Sequence, residues 1–429
     1  MHLGLICPEL SGHLNPTTTL GQTLQQRGHR VSVLARLDAR DRVLARGLEF
    51  IPLGITEFPL GSIAEQSQRL GQMQKYEALK YTVKMLKMGT EVVLRDGLEA
   101  ARSHQIEGLV IDQLVPAGSA VAEPLNLPYV YVANALAMNI DPNCPPAMLP
   151  WPYRPGMIGR VRNAMGNAML RWAAKPVSGL ITRYRRDHRL PPRAGIGPGT
   201  LLAEIAQQPA FLDFPRSQLP AYFHYTGPWH RPSAAGADNF PWGRLDGRPL
   251  IYASLGTLQN RVLDHFEKIA QAVDGLNAQL VIALGNAERN AAEVAARFAG
   301  DPIVVPYAPQ LKLLQRATLT ITHAGLNTAL ESLTQGVPMV AIPITNDQPG
   351  VARRLEWLGV ARVVLPSKLS VELLRAEINT VLNQPAYREK AADLQARIAT
   401  FDGCDRAADI VEQAMFTRQR VLTAGNRLF

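Results

Sequence analysis

Residues 307–349 read YAPQLKLLQRATLTITHAGLNTALESLTQGVPMVAIPITNDQP, and the fold follows from them. Leu319–His323 is a short β-rich run, and Ala324–Gly336 has apolar residues at helical spacing with a glycine where a helix stops. Met339–Pro343 is a second apolar run. The pattern predicts strand, helix, strand, the unit of a parallel α/β sheet. Ligands bind just past the carboxyl ends of strands in such sheets, which is where this segment puts its polar residues. The first N–H groups of the helix have no intrahelical partner and lie at its positive dipole end, so they favour an anion such as a phosphate.

The side chains around that helix start extend the reading. His323, Asn327 and Thr328 add donors, and Gly325 lets a ligand approach the backbone closely. Glu331 shares a helix face with Asn327 one turn on, where a carboxylate suits paired hydroxyls such as those of a ribose. Tyr307 offers a flat face for a base, Gln310 an amide, and Asp347 with Gln348 acceptors for further hydroxyls. Base, ribose, diphosphate and sugar are each provided for, in that order along the chain.

In that order the segment resembles the nucleotide-sugar signature of the GT-B glycosyltransferases that include plant secondary-metabolite, macrolide and zeaxanthin glucosyltransferases. The resemblance implies two Rossmann-like domains whose parallel sheets face each other across a cleft. It implies that Tyr307 stacks on uracil, that Gln310 and Glu331 hold the ribose, and that Asp347 and Gln348 hold the sugar. The diphosphate falls to His323, Gly325, Asn327 and Thr328. Tyr307 and Leu326 stand where plant members usually carry tryptophan.

The chain has 429 residues, 47% of them hydrophobic, enough for two or three folded domains. Its three cysteines, Cys7, Cys144 and Cys404, include no C-x-x-C pair, which argues against a disulfide scaffold or zinc site and fits a reducing compartment. No signal peptide is apparent and no long uncharged apolar run occurs, so the expectation is a cytoplasmic protein without a membrane span. The net charge of +9 is concentrated: residues 151–200 hold ten basic residues and one acid, Asp187. Mixed with apolar residues and a tryptophan, that segment fits peripheral contact with an anionic membrane, or a solvated helix near the acceptor side of a cleft. No nucleic-acid-binding motif accompanies the charge.

The N-terminal half opens as β-α-β, with strands at 3–8 and 31–35 and a helix at Thr17–Arg27. Asn15 reads as its N-cap and Pro16 as its first helical position, which leaves His13 in the loop before the helix. The G-x-G-x-x-G dinucleotide fingerprint is absent, which argues against a nicotinamide enzyme. Lys75–Asp96 reads as a helix stopped by Gly97. Strands follow at 109–112, ending on Asp112, and at 129–133, and then proline-rich loops at Met138–Pro155. Proline-rich 209–241 marks the boundary between halves. The second half restarts with LIYASLG at 250–256, a helix at Val262–Val273, and strands at 279–285 and 303–305; residues 371–414 read as helical. The domains are expected at 1–215 and 242–402 with a linker at 216–241, and residues 403–429 are expected to return to the first domain.

His13 and Asp112 lie 99 residues apart, yet both fall at carboxyl ends of one predicted sheet. An aspartate accepting one imidazole N–H fixes the tautomer and makes the other nitrogen more basic. The resemblance gives the pair matching roles, His13 as catalytic base and Asp112 as its partner. Ser254, Gly256 and Thr257, in ASLGT, resemble the family's phosphate-side loop. The expected reaction is a single inverting displacement from a UDP-sugar, most simply UDP-glucose, to a hydrophobic hydroxylated acceptor, with no metal or other cofactor. Two rivals are a lipid-linked sugar transferase, which would carry a glycine-rich first loop in place of PELSGHLNP, and a non-catalytic nucleotide-sugar-binding protein.

Overall fold

Apolar runs such as HLGLI, GLVID and LIYAS bury every residue, as strands covered on both faces must. They form the centres of two all-parallel sheets. The computed structural model describes residues 1–73, 75–192, 201–230, 240–256, 263–285 and 290–423. The first sheet contains β1 (His2–Ile6), β2 (Arg30–Ala35), β3 (Glu49–Pro52), β4 (Gly108–Asp112), β5 (Tyr129–Ala133), β6 (Leu201–Ala206) and β7 (Phe223–Tyr225), in the order β3-β2-β1-β4-β5-β6-β7. The second contains β8 (Leu250–Ser254), β9 (Gln279–Ala283), β10 (Ile303–Val305), β11 (Ala317–Thr322), β12 (Met339–Ala341) and β13 (Ala361–Val363), in the order β10-β9-β8-β11-β12-β13.

Both sheets reverse their strand order once, between β1 and β4 in the first and between β8 and β11 in the second. A crevice opens at the carboxyl ends of the strands at such a switch point. Register fixes what lines each crevice. Ile6 pairs with Ile111, so Asp112 ends β4 level with the chain leaving β1. Ser254 pairs with Thr322, so His323 emerges next to Ser254.

Several expectations need correction. The first helix begins at Ser11 and runs to Gln26, with Pro16 inside it. Pro16 costs the helix only its bond to the Gly12 carbonyl, one turn from the end, where backbone groups find other partners easily. His13 therefore sits in the first helical turn. The helix predicted to stop at Gly97 continues to Ser103. A Cβ at Gly97 would lie 2.9 Å from a Val121 methyl, so this glycine serves close packing between helices. Phe223–Tyr225, within the expected linker, pairs in parallel with β6 and adds the seventh strand. The helical 371–414 stretch divides into Val371–Asn383, Pro385–Ile398 and Gly403–Thr417. The last of these packs on the Ser11–Gln26 helix, β5 and β6, and buries Ala407, Val411 and Ala414 in the first sheet's core. The helix predicted from Val262 is seen from Leu263; Val262, Thr257 and Arg193 lie outside the described residues.

Candidate functional site

At the first switch point His13 Nδ1 lies 2.8 Å from Asp112 Oδ2. Asp112 is fully buried, and His13 is 9% exposed. The carboxylate is held from other sides as well: Asn134 Nδ2 donates to Oδ2 at 2.6 Å and the Leu114 N–H to Oδ1 at 2.8 Å. Asn134 also donates to the Thr17 hydroxyl. The carboxylate thus has a fixed orientation toward the imidazole. Burial pulls the His13 pKa down, but the charge and hydrogen bond of Asp112, with Asp347 adding, hold it above the ordinary imidazole value. Asp347 belongs to the opposite lobe, and its Oδ2 accepts from the Leu136 N–H at 3.0 Å. Burial raises the pKa of Asp347, with Leu136 and His13 opposing.

At the second switch point the His323 ring lies over two glycines. A Cβ on Gly325 would stand 2.6 Å from its Nε2 and one on Gly256 2.8 Å from it. Gly256 also has a φ of +83°, which alone favours glycine. Ala324, between the histidine and the helix, is held at φ +62°, the kind of backbone strain that persists where surrounding packing over-determines it. The Leu326–Thr334 helix follows, with Gly325 at its N-cap position. Burial pushes the His323 pKa down to about 4, with the Ser254 main chain opposing, so the ring is neutral at pH 7. Leu326 is buried in the apolar cluster beneath this helix.

Two of the expected nucleotide residues, Gln310 and Glu331, meet. Gln310 donates to the Glu331 carboxylate and more weakly to Thr328 Oγ1, while its Oε1 accepts from the Tyr252 hydroxyl at 2.9 Å. Burial pushes the Glu331 pKa up to about 7, with Gln310 holding it back. Tyr307 leaves about half its surface exposed near the start of this segment.

Two of the expected site residues have protein partners of their own. Asn327 is occupied across the cleft: its Nδ2 donates to the Gly12 carbonyl at 2.9 Å, and its Oδ1 accepts from Gln207 Nε2 at 2.8 Å. The Gly12 carbonyl is available because Pro16, four residues on, has no N–H to give it. Gln348 turns inward, its Oε1 accepting from the N–H groups of Ile344 and Thr345 at 2.8 and 2.9 Å. It shapes the loop that carries Asp347, and that oxygen is not a free acceptor for a sugar.

Sequence reasoning missed Asn134, Gln207 and His230. The first two are the first polar residues after β5 and β6, so the strand-end rule that selected Asp112 would have found them. His230 sits in the expected linker, yet its Nδ1 is 3.8 Å from Glu331 Oε1, and burial pushes its pKa down to about 4. No local pattern marks it.

A family model described as UDP-glucoronosyl and UDP-glucosyl transferase matches residues 201–415, the span from β6 through the second sheet to the last helix. Over its full length the chain is 31% identical to the zeaxanthin glucosyltransferase of Pantoea ananas, covering 98% of both chains. The chain belongs to the UDP-glucoronosyl and UDP-glucosyl transferase family. It is also 31% identical to the zeaxanthin glucosyltransferase of Pseudescherichia vulneris, covering 96% of this chain and 98% of that one. Among solved structures, a glycotransferase of kitacinnamycin superposes on this UDP-glycosyltransferase with a TM-score of 0.72 at 22% identity, covering 96% and 98% of the two chains. That likeness shows the fold, GT-B, with two parallel-sheet α/β domains facing each other.

Proposed function

We propose that this glycosyltransferase moves a hexose, glucose in the simplest reading, from a UDP-sugar to a hydroxyl of a hydrophobic small molecule, with inversion at the anomeric carbon. The observation that carries the reading is the His13–Asp112 pair at one switch point, within electrostatic reach of Asp347 from the other lobe. With Nδ1–H directed to Asp112, the lone pair of His13 is on Nε2. That nitrogen takes the proton of the acceptor hydroxyl while the acceptor oxygen attacks the anomeric carbon. The bond from that carbon to the β-phosphate oxygen breaks, and UDP leaves with the electron pair. An α-linked donor thus yields a β-glycoside.

His323, Ser254 and the first N–H groups of the Leu326–Thr334 helix are the groups to receive the leaving diphosphate. A neutral His323 serves by donating a hydrogen bond. Tyr307 stacks on the base, and Gln310 with Glu331 takes the ribose hydroxyls. Asp347, between the lobes, takes a hydroxyl of the sugar. Relatives named for zeaxanthin favour a long apolar acceptor, and the Met138–Pro155 loops supply a matching surface, with Met138, Ile140 and Met148 exposed.

The test is a screen of UDP-sugars against hydroxylated hydrophobic acceptors, zeaxanthin included, with product mass detection. A mass gain of one hexose with UDP-glucose is the expected result. UDP release with no acceptor product, or no turnover of any UDP-sugar, would contradict the reading.

A further inference from the structure

The 31-residue helix Met157–Asp187 packs against the Lys75–Ser103 and Gly118–Ala122 helices. Gly159, Asn163 and Gly166 lie on its buried side. A helix on a protein surface normally turns a polar face to solvent, whereas this one turns large apolar residues outward as well as basic ones. Ile158, Val161, Met165, Met169 and Trp172 recur at spacings of three and four and form one stripe, and each is half or more exposed, Met165 at 68% and Trp172 at 70%. The stripe lies on a different side of the helix from the buried residues.

Exposed basic residues surround the stripe: Arg154, Arg160, Arg171, Lys175 and Arg183. Among the described residues none of these five pairs with a carboxylate, and the segment's one acid, Asp187, pairs with Arg186. An outward apolar stripe in a field of uncompensated cations is what lies on an anionic bilayer, with the apolar side chains in the headgroup boundary and the cations among the headgroups. A second copy of the chain fits poorly, because it would bring two such cationic fields together. Among the described residues no helix is long and apolar enough to cross a membrane, so the contact is one of lying on the surface.

The geometry points to the outward face of the Met157–Asp187 helix as a docking surface for anionic lipid membrane. Asn167 and Leu170, near the buried side of the same helix, line a cleft with Ala137, Ile140, Cys144 and Arg216. The bilayer would thus lie about one helix diameter, ~10–12 Å, from that cleft. A membrane-dissolved acceptor could then enter without crossing water; this last step rests on the proposed function, whereas the docking does not.

The test is co-sedimentation of the full-length protein with vesicles of phosphatidylcholine alone or mixed with phosphatidylglycerol, which requires neither donor nor acceptor. The protein should pellet with the mixed vesicles, stay in solution with phosphatidylcholine alone, and be released by salt. Met165→Glu with Trp172→Glu should abolish pelleting. Arg160→Glu with Arg171→Glu and Lys175→Glu should weaken it by at least about tenfold, since each basic residue near the surface contributes to binding. Circular dichroism reports folding, and if the apolar variant fails to fold the charge variant still decides. Equal pelleting with both lipid mixtures, wild-type pelleting by a folded charge variant, or a dimer that the apolar variant dissolves with no vesicle binding would overturn the proposal. Failure of the sugar-transfer screen would leave this result unaffected.

Discussion

On the reading above, one proton site controls turnover: Nε2 of His13 must be empty to accept the acceptor's hydrogen. Because Asp112 and Asp347 hold the His13 pKa above 6.5, kcat/KM should rise with pH through a limb that lies above 6.5. Asp112→Asn removes the charge and should move that limb downward while lowering the rate by roughly 10²–10⁴-fold. A limb left in place would detach Asp112 from the chemistry. His13→Ala should abolish transfer and leave UDP binding near the wild-type value by calorimetry. Glu331 gives a second test at this scale. Its pKa is raised from 4.5 to about 7 in the folded protein, so the buried charge opposes folding, increasingly as pH rises from 4.5 to 7. Glu331→Gln should raise the Tm of the ligand-free protein at pH 8 and change it little at pH 4. The same substitution should weaken UDP binding by about 1–3 kcal/mol, because ribose hydroxyls lose a charged acceptor.

Among elements, the informative pairing is between the first turn of the Ser11–Gln26 helix and the start of the Leu326–Thr334 helix. Pro16 withholds an N–H from the Gly12 carbonyl, and Asn327 of the other lobe supplies one. Asn327→Ala should cost about 0.5–1.5 kcal/mol of stability, since it removes the bonds to the Gly12 carbonyl and the Gln207 amide at a partly exposed site. In a Pro16→Ala background the cost should be smaller, because the new N–H reaches Gly12 within the helix; calorimetric Tm values of the four proteins would measure the coupling. Equal costs in both backgrounds would show that Gly12 has no share in the effect.

The same pairing explains what could and could not be read from the sequence. Strands such as β4 and β8 were legible because they are apolar up to a polar last residue and buried throughout. Asp112 and Ser254 were legible because they end those strands, and His323 because it directly follows β11. The start of the first helix was misplaced because Pro16 fits a first helical position as well as an interior one whose lost bond is made elsewhere. The bond from Asn327 to Gly12 was not legible because the two lie 315 residues apart, beyond any local pattern. His230 and β7 were hidden in a proline-rich stretch that resembles a linker, and only the assembled lobes give them partners.

For the whole molecule, a buried ion cluster crosses the seam between lobes. Asp213, which ends the short 3-10 turn Ala210–Leu212 after β6, lies 2.8 Å from Arg354 of the Gln348–Trp357 helix and 2.6 Å from Arg216. Arg216 also donates to the carbonyls of Ala137 and Asn139, so the cluster holds the cleft loop as well. Burial alone would raise the Asp213 pKa, but Arg354 and Arg216 outweigh it and hold the carboxyl at about 2. A folded value below the unfolded 3.8 contributes stability that is fully present above pH 3.8 and is lost as pH falls toward 2. Arg354→Met should cost about 3–5 kcal/mol by leaving part of a buried charge uncompensated, read as a lower Tm at pH 7. A wild-type Tm would mean that the cluster is not what holds the lobes together.

The catalytic reading requires the two switch points to act on one substrate, and a crystal structure of the protein soaked with UDP tests that requirement most directly. The diphosphate should lie within hydrogen-bond distance of His323 and the first N–H groups of the Leu326–Thr334 helix, with the ribose on Glu331 and His13 Nε2 facing the β-phosphate across the cleft. A nucleotide bound elsewhere, or His13 turned away from it, would contradict the account.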